Sequence, residues 1–432
     1  MIFTDESRAK GHADAISKPK SLGELVQAIQ QAARDGRRIT VQGAATGLAG
    51  GAVPRGGLLL STRGMNQILG AEARDGRFFM RAQAGVTFEQ IEECLRKPIQ
   101  GQLYYLPQCP TEKSATPGGA FACDAMGINR LRGGRFSACV TGLTWVTPQG
   151  EVLRFGRGDT LLEMEAIGLL AGSEGRLGIA AELELELQPV PGASWGVFFF
   201  FADLTGARTF AEALPRDCLT ACVYFDHASL DLLRISKPLP EDAREALYLE
   251  LSGDDEAALE ERLAALLTLF ERCGGRGADT WAADSPPEIE SLRTYCHAVT
   301  ELVNSEIDKA PGTIKFDLDF QSDHVWEQID IFREEAVEAG IAIYCFGHVL
   351  LGQAHVCIVP RTPEEKNMCE ALMARWSAQV AGQGGHLAFE NGIGKNKRQL
   401  VWRLLPPARR AHLARLEAFF DPMGTMQNNL LQ

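Results

Sequence analysis

The run Val41-Gln42-Gly43-Ala44-Ala45-Thr46-Gly47-Leu48-Ala49-Gly50-Gly51-Ala52-Val53-Pro54 decides how this chain is read. A strand-like stretch, RRITVQG, leads into it, and a second, GLLLST, follows it. Glycine and alanine at this density let the main chain turn its N–H groups onto an anion. The spacing is neither G-x-G-x-x-G nor a loop ending in G-K-[ST], which excludes the two commonest nucleotide fingerprints. Alone, such a loop is more often a tight turn than a phosphate cradle. Two further small-residue segments shift the balance: Thr116-Pro117-Gly118-Gly119-Ala120 and Gly172-Ser173-Glu174-Gly175-Arg176-Leu177-Gly178-Ile179. Three backbone-exposing loops in one domain point to a long, extended cofactor lying across it.

Outward from these loops the pattern is mixed helix and strand. Residues 21–36 place Leu22, Leu25, Val26 and Ile29 at helical spacing behind a Ser cap and before a terminal Gly. RFFMRAQAG followed by VTFEQIEECLRK reads as strand then helix, and CVTGLTWVTPQGEVLRFG as two strands around a turn. Residues 114–135 are too long and irregular for a plain connector. Beyond Pro191 the style changes: WGVFFFFADL, ACVYFDH, ALYLELSGD and GTIKFDLDF are strand-like and alternate with helices such as DEAALEERLAALLTLFERC. The fold class expected is α+β, with domains at 1–192 and 193–385 and a C-terminal segment, 386–432.

A chain of 432 residues is long for one core and comfortable for two. Its formal net charge of -13 argues against nucleic acid as a partner and against capture by an anionic membrane. The 11 cysteines form no C-x-x-C pair, so neither a zinc ribbon nor a cysteine-ligated iron–sulfur cluster is indicated. No signal-peptide core or membrane span is visible, and the expected location is the cytoplasm.

Three further features carry chemistry. IAIYCFGHVLLGQAHVCIVP (341–360) reads as strand, turn, strand, with His348 and His355 either side of Leu350-Leu351-Gly352-Gln353. Across a hairpin the two imidazoles converge, and with one carboxylate they would suit a divalent metal; a buried pair satisfied by main chain is the commoner outcome. Lys315 lies in an apolar strand and needs a partner, either an anionic ligand or Asp317 or Asp319. Near the C-terminus, GGHLAFENGIGKN (384–396) sets Glu390 and Asn391 in a glycine-bounded turn.

Taken in order, VQGAATGLAGGAVP, PTEKSATPGGAFACDAMG and GSEGRLGI resemble the flavin-binding half of the vanillyl-alcohol oxidase / PCMH-type FAD family. The resemblance implies a PCMH-type FAD-binding domain followed by an α+β cap with an antiparallel sheet, the C-terminal segment returning to the flavin. It assigns Gly43, Ala44, Ala45, Thr46, Gly47 and Leu48 to the FAD pyrophosphate. Pro110, Thr111, Ser114, Gly118, Gly119, Ala122 and Gly127 would lie along the flavin, with Glu174, Gly178 and Ile179 on its far side. The first loop lacks the histidine that attaches FAD in some members, so a non-covalent flavin is expected.

The second half resembles the D-2-hydroxy-acid dehydrogenase branch, whose motif G-H-x-G-D-G-N-x-H is followed by G-E-H-G-I-G. The resemblance makes His348, His355 and Glu390 ligands of a divalent metal (zinc, manganese or iron) and places Lys315 on the substrate carboxylate. Here Leu350-Leu351 replaces the motif's Gly-Asp and Gln353 its Asn, while Asn391 stands where the branch has a histidine base. An amide cannot take a proton near neutral pH. Metal activation of the hydroxyl, a substitute base at His386 or His297, or loss of the oxidation are the three readings left open. The branch's carboxylate-binding arginine has no clear counterpart around Cys296–Glu301, although Arg293 is close. Asp421-Pro422-Met423-Gly424 and Asn428 resemble the branch's C-terminal turn, with Asn429-Leu430 in place of Pro-Gly.

The resemblance therefore implies an FAD-dependent dehydrogenase taking a D-2-hydroxy acid to the 2-keto acid. Electrons would pass to a quinone, an electron-transfer flavoprotein or an iron–sulfur subunit, which would also allow peripheral membrane attachment through a partner. The alternative is a non-catalytic or electron-relay flavin subunit of a glycolate-oxidase-like complex.

Overall fold

The computed structural model describes residues 2–156, 161–234, 238–309 and 315–428. The chain divides into two compact units. The first joins Met1–Gly127, Gly133–Val190 and Glu390–Gln432; the second joins Ile128–Arg132 and Pro191–Phe389.

In the first unit, helix Leu22–Arg34 starts where the Ser21 hydroxyl accepts from the Glu24 N–H and packs Leu25, Ile29 and Ala32 inward. Its partner is a three-stranded parallel sheet in the order Ala15–Ser17, Leu58–Ser61, Ile39–Gln42. A larger antiparallel sheet runs Val152–Phe155, Val140–Val146, Ile179–Pro189, Arg77–Gln83, Ile68–Arg74. In its central strand the period-two rule is explicit. Leu183, Leu185 and Leu187 are buried, while Glu182, Glu184 and Glu186 point to the other face and pair with Arg81, Arg74 and Arg77.

The segment expected to be an open loop at Thr116–Ala120 is instead the start of a helix, Pro117–Cys123. Thr116 caps it by accepting from the Gly119 N–H at 3.3 Å, and Pro117 occupies the first turn, where its missing N–H does no harm. Those two residues outweigh the low helix propensity of Gly118 and Gly119. A side chain at Gly118 would collide with Ala84, so glycine is there for packing against the sheet.

The second unit is an eight-stranded sheet, antiparallel throughout. Its order is Thr280–Ala283, Ala193–Phe201, Glu245–Gly253, Leu219–Phe225, Ala342–Gly347, Gln353–Val359, Phe316–Gln321, His386–Leu387. Both faces are covered. Val197, Phe199 and Phe201 join one core with helices Leu204–Ala213, Glu256–Arg272, Val325–Glu338 and Pro363–Gly382. Phe198 and Phe200 join the other, under His227–Leu233 and Pro286–Asp308. The continuous FFFF run therefore alternates faces as any strand does, and is apolar throughout because neither face meets water.

The chain ends in helices Arg398–Leu404 and Pro407–Phe420. Asp421 then accepts from the N–H groups of Thr425 and Met426 at 2.8 and 2.7 Å, which makes the Asp-Pro-Met-Gly turn. This lays Met426 beside Ile39 in the first unit's small core. Asn429 and Leu430 lie outside the described residues. No helix among the described residues is long and apolar enough to cross a membrane.

Candidate functional site

The three glycine segments converge within the first unit. A Cβ on Gly43 would stand 2.7 Å from the Thr116 hydroxyl, so the first loop lies against the cap of the second segment. The second segment meets the third where the Gly172 and Glu174 N–H groups donate to the Phe121 and Ala122 carbonyls at 3.0 and 2.7 Å. Ala45 holds a left-handed φ of 62°, and at Gly47 a Cβ would meet no atom within 4 Å. The loop thus turns through a conformation that small residues tolerate and borders open space at its tip, as a cradle for an extended cofactor requires.

The remaining expected cofactor residues fall into distinct settings. Gly127 packs so closely on the Cys109 carbonyl that a Cβ would lie 2.1 Å from it, and Gly178 is equally tight against Trp145. Ile179 is 3% exposed and belongs to the small-sheet core. Pro110 is buried, Thr111 and Ser114 are exposed, and Ala44, Thr46 and Leu48 are half-buried on the first loop.

Glu174 has a specific task. Its two carboxylate oxygens accept the Ile393 and Gly394 N–H groups at 2.7 and 2.6 Å. Consecutive amides, with Gly392 and Gly394 at positive φ, form a concave anion nest, and the anion filling it is this carboxylate. The turn carrying Glu390 and Asn391 is thereby fixed to the third glycine segment. Asn428 completes the clamp by donating to the carbonyls of Glu174 and Gly51 at 2.9 and 3.1 Å.

Lys395, which follows the turn and carries no assigned role in the sequence, fastens the same turn to the first loop. Its ammonium donates to the carbonyls of Val53 at 2.5 Å and Gly51 at 3.2 Å, while the Lys395 and Asn396 N–H groups reach Ala49 O. Burial, with Arg55 and Arg398 nearby, pushes this ammonium down to about 7, against the opposing pull of Asp5. Gln427, also unforeseen, accepts from the Thr40 hydroxyl and the Arg55 N–H and donates to Arg55 and Gly56 carbonyls. A Lys and a Gln one or two residues from recognisable turns carry no pattern of their own.

In the second unit His348 and His355 flank the predicted hairpin turn, whose Gly352 has φ 68°. Both histidines are buried. His355 Nδ1 lies 3.2 Å from Asp317 Oδ1, its side chain 10% and that of Asp317 11% exposed, and Phe346 stacks on its ring. A carboxylate there selects the tautomer with Nδ1 protonated and leaves Nε2 as the basic nitrogen. Gln353 is fully buried, accepting from the His348 N–H at 3.0 Å and donating toward Asp319 at 3.5 Å. Asp317 and Asp319 are therefore engaged by the hairpin, and half-buried Lys315 has no ion pair with either among the described residues.

The expected metal gains no support from the structure. Among the described residues no group of three or more His, Cys, Asp or Glu side chains is placed to hold a metal ion. His348 and His355 belong to the second unit and Glu390 to the first, and the motif's aspartate is a leucine here. Arg293 is not available for a substrate carboxylate, since it grips buried Glu250 through two nitrogens at 2.7 and 2.6 Å. His386 is exposed on the edge strand, against Phe389.

Comparison with known proteins converges on one group. Residues 13–156 match the FAD binding domain family, and residues 193–429 match the C-terminal domain of FAD linked oxidases. The chain is 26% identical to a D-lactate dehydrogenase of Anaerostipes hadrus, over 97% of this chain and 90% of that one. It is 26% identical to the glycolate oxidase subunit GlcD of Bacillus subtilis (strain 168), over 96% and 87%. With the mitochondrial D-2-hydroxyglutarate dehydrogenase of Danio rerio the identity is 23%, over 96% and 78%. With three glycine segments packed against one another in one unit, and family matches across both halves, this chain belongs to the FAD-linked oxidases and is an FAD-dependent oxidoreductase.

Proposed function

We propose that the protein oxidises a D-2-hydroxy acid of the lactate or glycolate type to its 2-keto acid and passes the electrons to an acceptor other than oxygen. The observation that carries this reading is near-complete alignment with relatives named for such acids, over 95% or more of the chain. FAD, held non-covalently in the first unit by the loop Gly43–Leu48, supplies hydride acceptance when bound.

The chain's own residues are assigned the following work. Lys315 meets the substrate carboxylate. His355, its tautomer set by Asp317, takes the hydroxyl proton at Nε2, which relieves Asn391 of a task an amide cannot perform. Asn391 donates or accepts a hydrogen bond at the substrate, and Glu174 holds its turn in place. No step is routed through a metal, because the described residues hold no three-donor group.

Asn391 also favours a second reading, an electron-relay subunit of a larger complex, since the branch's base is absent from that position. Anaerobic mixing of the holoprotein with D- and L-lactate, glycolate and D-2-hydroxyglutarate separates the two. Bleaching of the flavin band by a D-acid and not its L-isomer is expected. Absence of bleaching with every acid would leave only the relay reading. FAD should remain in the supernatant after acid precipitation; a yellow pellet would overturn the non-covalent assignment.

A further inference from the structure

The C-terminal helices carry a charge opposite to that of the chain. Between Lys395 and Phe420 stand seven Lys and Arg residues and a single Glu, in a protein of net charge -13. Lys395 and Arg398 are buried, and Glu417, 4% exposed, turns inward toward Arg176 at 3.7 Å. Arg403, Arg409 and Arg415 are exposed, and with Arg410 they enter no ion pair among the described residues.

On helix Pro407–Phe420 the exposed residues Ala408, His412, Arg415 and Phe419 recur at four-, three- and four-residue steps and so form one outward stripe. One flank of the helix is fixed, with Leu416 and Phe420 packed on the core of the larger sheet, and Glu417 opposite the stripe is buried. Beyond the stripe lies Met423. Phe419 and Met423, 78% and 81% exposed, are the two most exposed large apolar side chains among the described residues.

We propose that this face of the flavin unit docks an acidic electron-carrier protein. Arg with an aromatic and a Met side chain is the composition of protein-binding hot spots, and the exposed Arg409 and Arg415 of this helix, on an otherwise acidic molecule, orient an acidic partner. A lipid surface fits less well: the helix's apolar face is already used by the core, leaving two side chains to insert, and the net charge repels anionic lipid. A second copy of this chain docking symmetrically would set arginines against arginines. The inference rests on the proposed function. Each reduced flavin, as FADH⁻, releases two electrons and one proton to become FAD, and two one-electron carriers each take one electron.

The test uses the FAD-loaded protein, photoreduced without oxygen, and oxidised rubredoxin as an acidic one-electron probe. The second-order rate of flavin reoxidation is expected to fall as salt rises, against the repulsion that the net charge alone would produce. Arg409→Glu/Arg415→Glu is expected to slow it about tenfold at low salt, and Phe419→Ser/Met423→Ser to slow it at high salt as well. Menadione, a small neutral oxidant, should reoxidise all forms equally, which shows the flavin unit intact. Rubredoxin rates that rise with salt, or that are equal in all forms, would overturn the proposal. So would binding to phosphatidylcholine vesicles containing phosphatidylglycerol that the arginine variant loses, or a dimer in sedimentation velocity that the Phe419/Met423 variant loses. A protein that takes up no FAD sinks the functional reading itself, a distinct result from a flavin that reoxidises without regard to these side chains.

Discussion

The two units satisfy their buried polar groups in opposite ways. In the flavin unit side chains serve the main chain: Glu174, Lys395, Gln427 and Asn428 bond to amides and carbonyls of glycine-rich segments. In the second unit side chains serve one another. Glu245 accepts from the Tyr224 hydroxyl at 2.5 Å and from Arg333 at 2.9 Å, and Asp226 lies in the same buried cluster. Glu250 likewise holds Arg293 and the Tyr248 hydroxyl. Loops that must expose backbone to a ligand have free main-chain groups on their other side, and only a side chain arriving from elsewhere in the sequence can fill them. A regular sheet has none to spare, so its buried charges pair with each other.

The largest effect should come from breaking the side-chain network. Arg333→Met leaves Glu245 and Asp226 buried without their cation and is expected to cost about 3–5 kcal/mol in urea unfolding. Adding Glu245→Gln to it should recover much of that loss. If the single variant unfolds like the parent, the contrast between the units fails.

In the flavin unit, Glu174→Ala removes the acceptor from two amides and is expected to cost about 2–3 kcal/mol. The diagnostic signal is local: hydrogen exchange at Ile393 and Gly394 should accelerate while the second unit's amides stay protected. Uniform acceleration throughout would show that the clamp is not specific to the turn.

The units should also differ in the sign of their pH dependence. Burial, ahead of the opposing attraction of Arg333, raises the Glu245 carboxyl from 4.5 to about 7. Its favourable contribution is full below 4.5 and is lost as pH rises through about 7, so Glu245→Gln should flatten thermal stability across that window. Lys395 is lowered from 10.5 to about 7, so its contribution is full above 10.5 and is lost as pH falls through about 7. Lys395→Met should remove that second slope and leave the first. A variant of either unit that changes both slopes would merge what the structure separates.

The smallest expected effect is that of metal removal. With no three-donor group among the described residues, dialysis against EDTA should leave substrate-driven flavin reduction within about twofold of the untreated protein. A large loss restored by zinc or manganese would reinstate His348 and His355 as ligands.

Much of this molecule was legible in its sequence. Apolar period and glycine punctuation located the helix at Leu22–Arg34, the strands from Ala193 onward and the hairpin around Gly352, because each is set by residues within a few positions of one another. Three glycine segments indicated an extended cofactor, and the resemblance of their ordered motifs to a known family named it as FAD. The helix at Pro117 was missed because two glycines hid a Thr–Pro start, although the signal was present.

What tertiary structure alone decided is partnership over long separations. Glu174 binds amides more than 200 residues away, and Gln427 reaches a hydroxyl 387 residues distant. Asp317 takes His355 rather than Lys315, and Arg293 takes Glu250 rather than an anionic substrate. Sequence fixes which groups must find a partner once buried, since an unpaired charge or amide is costly. Which partner each one finds depends on where the folded chain brings them together, and local pattern carries no record of that.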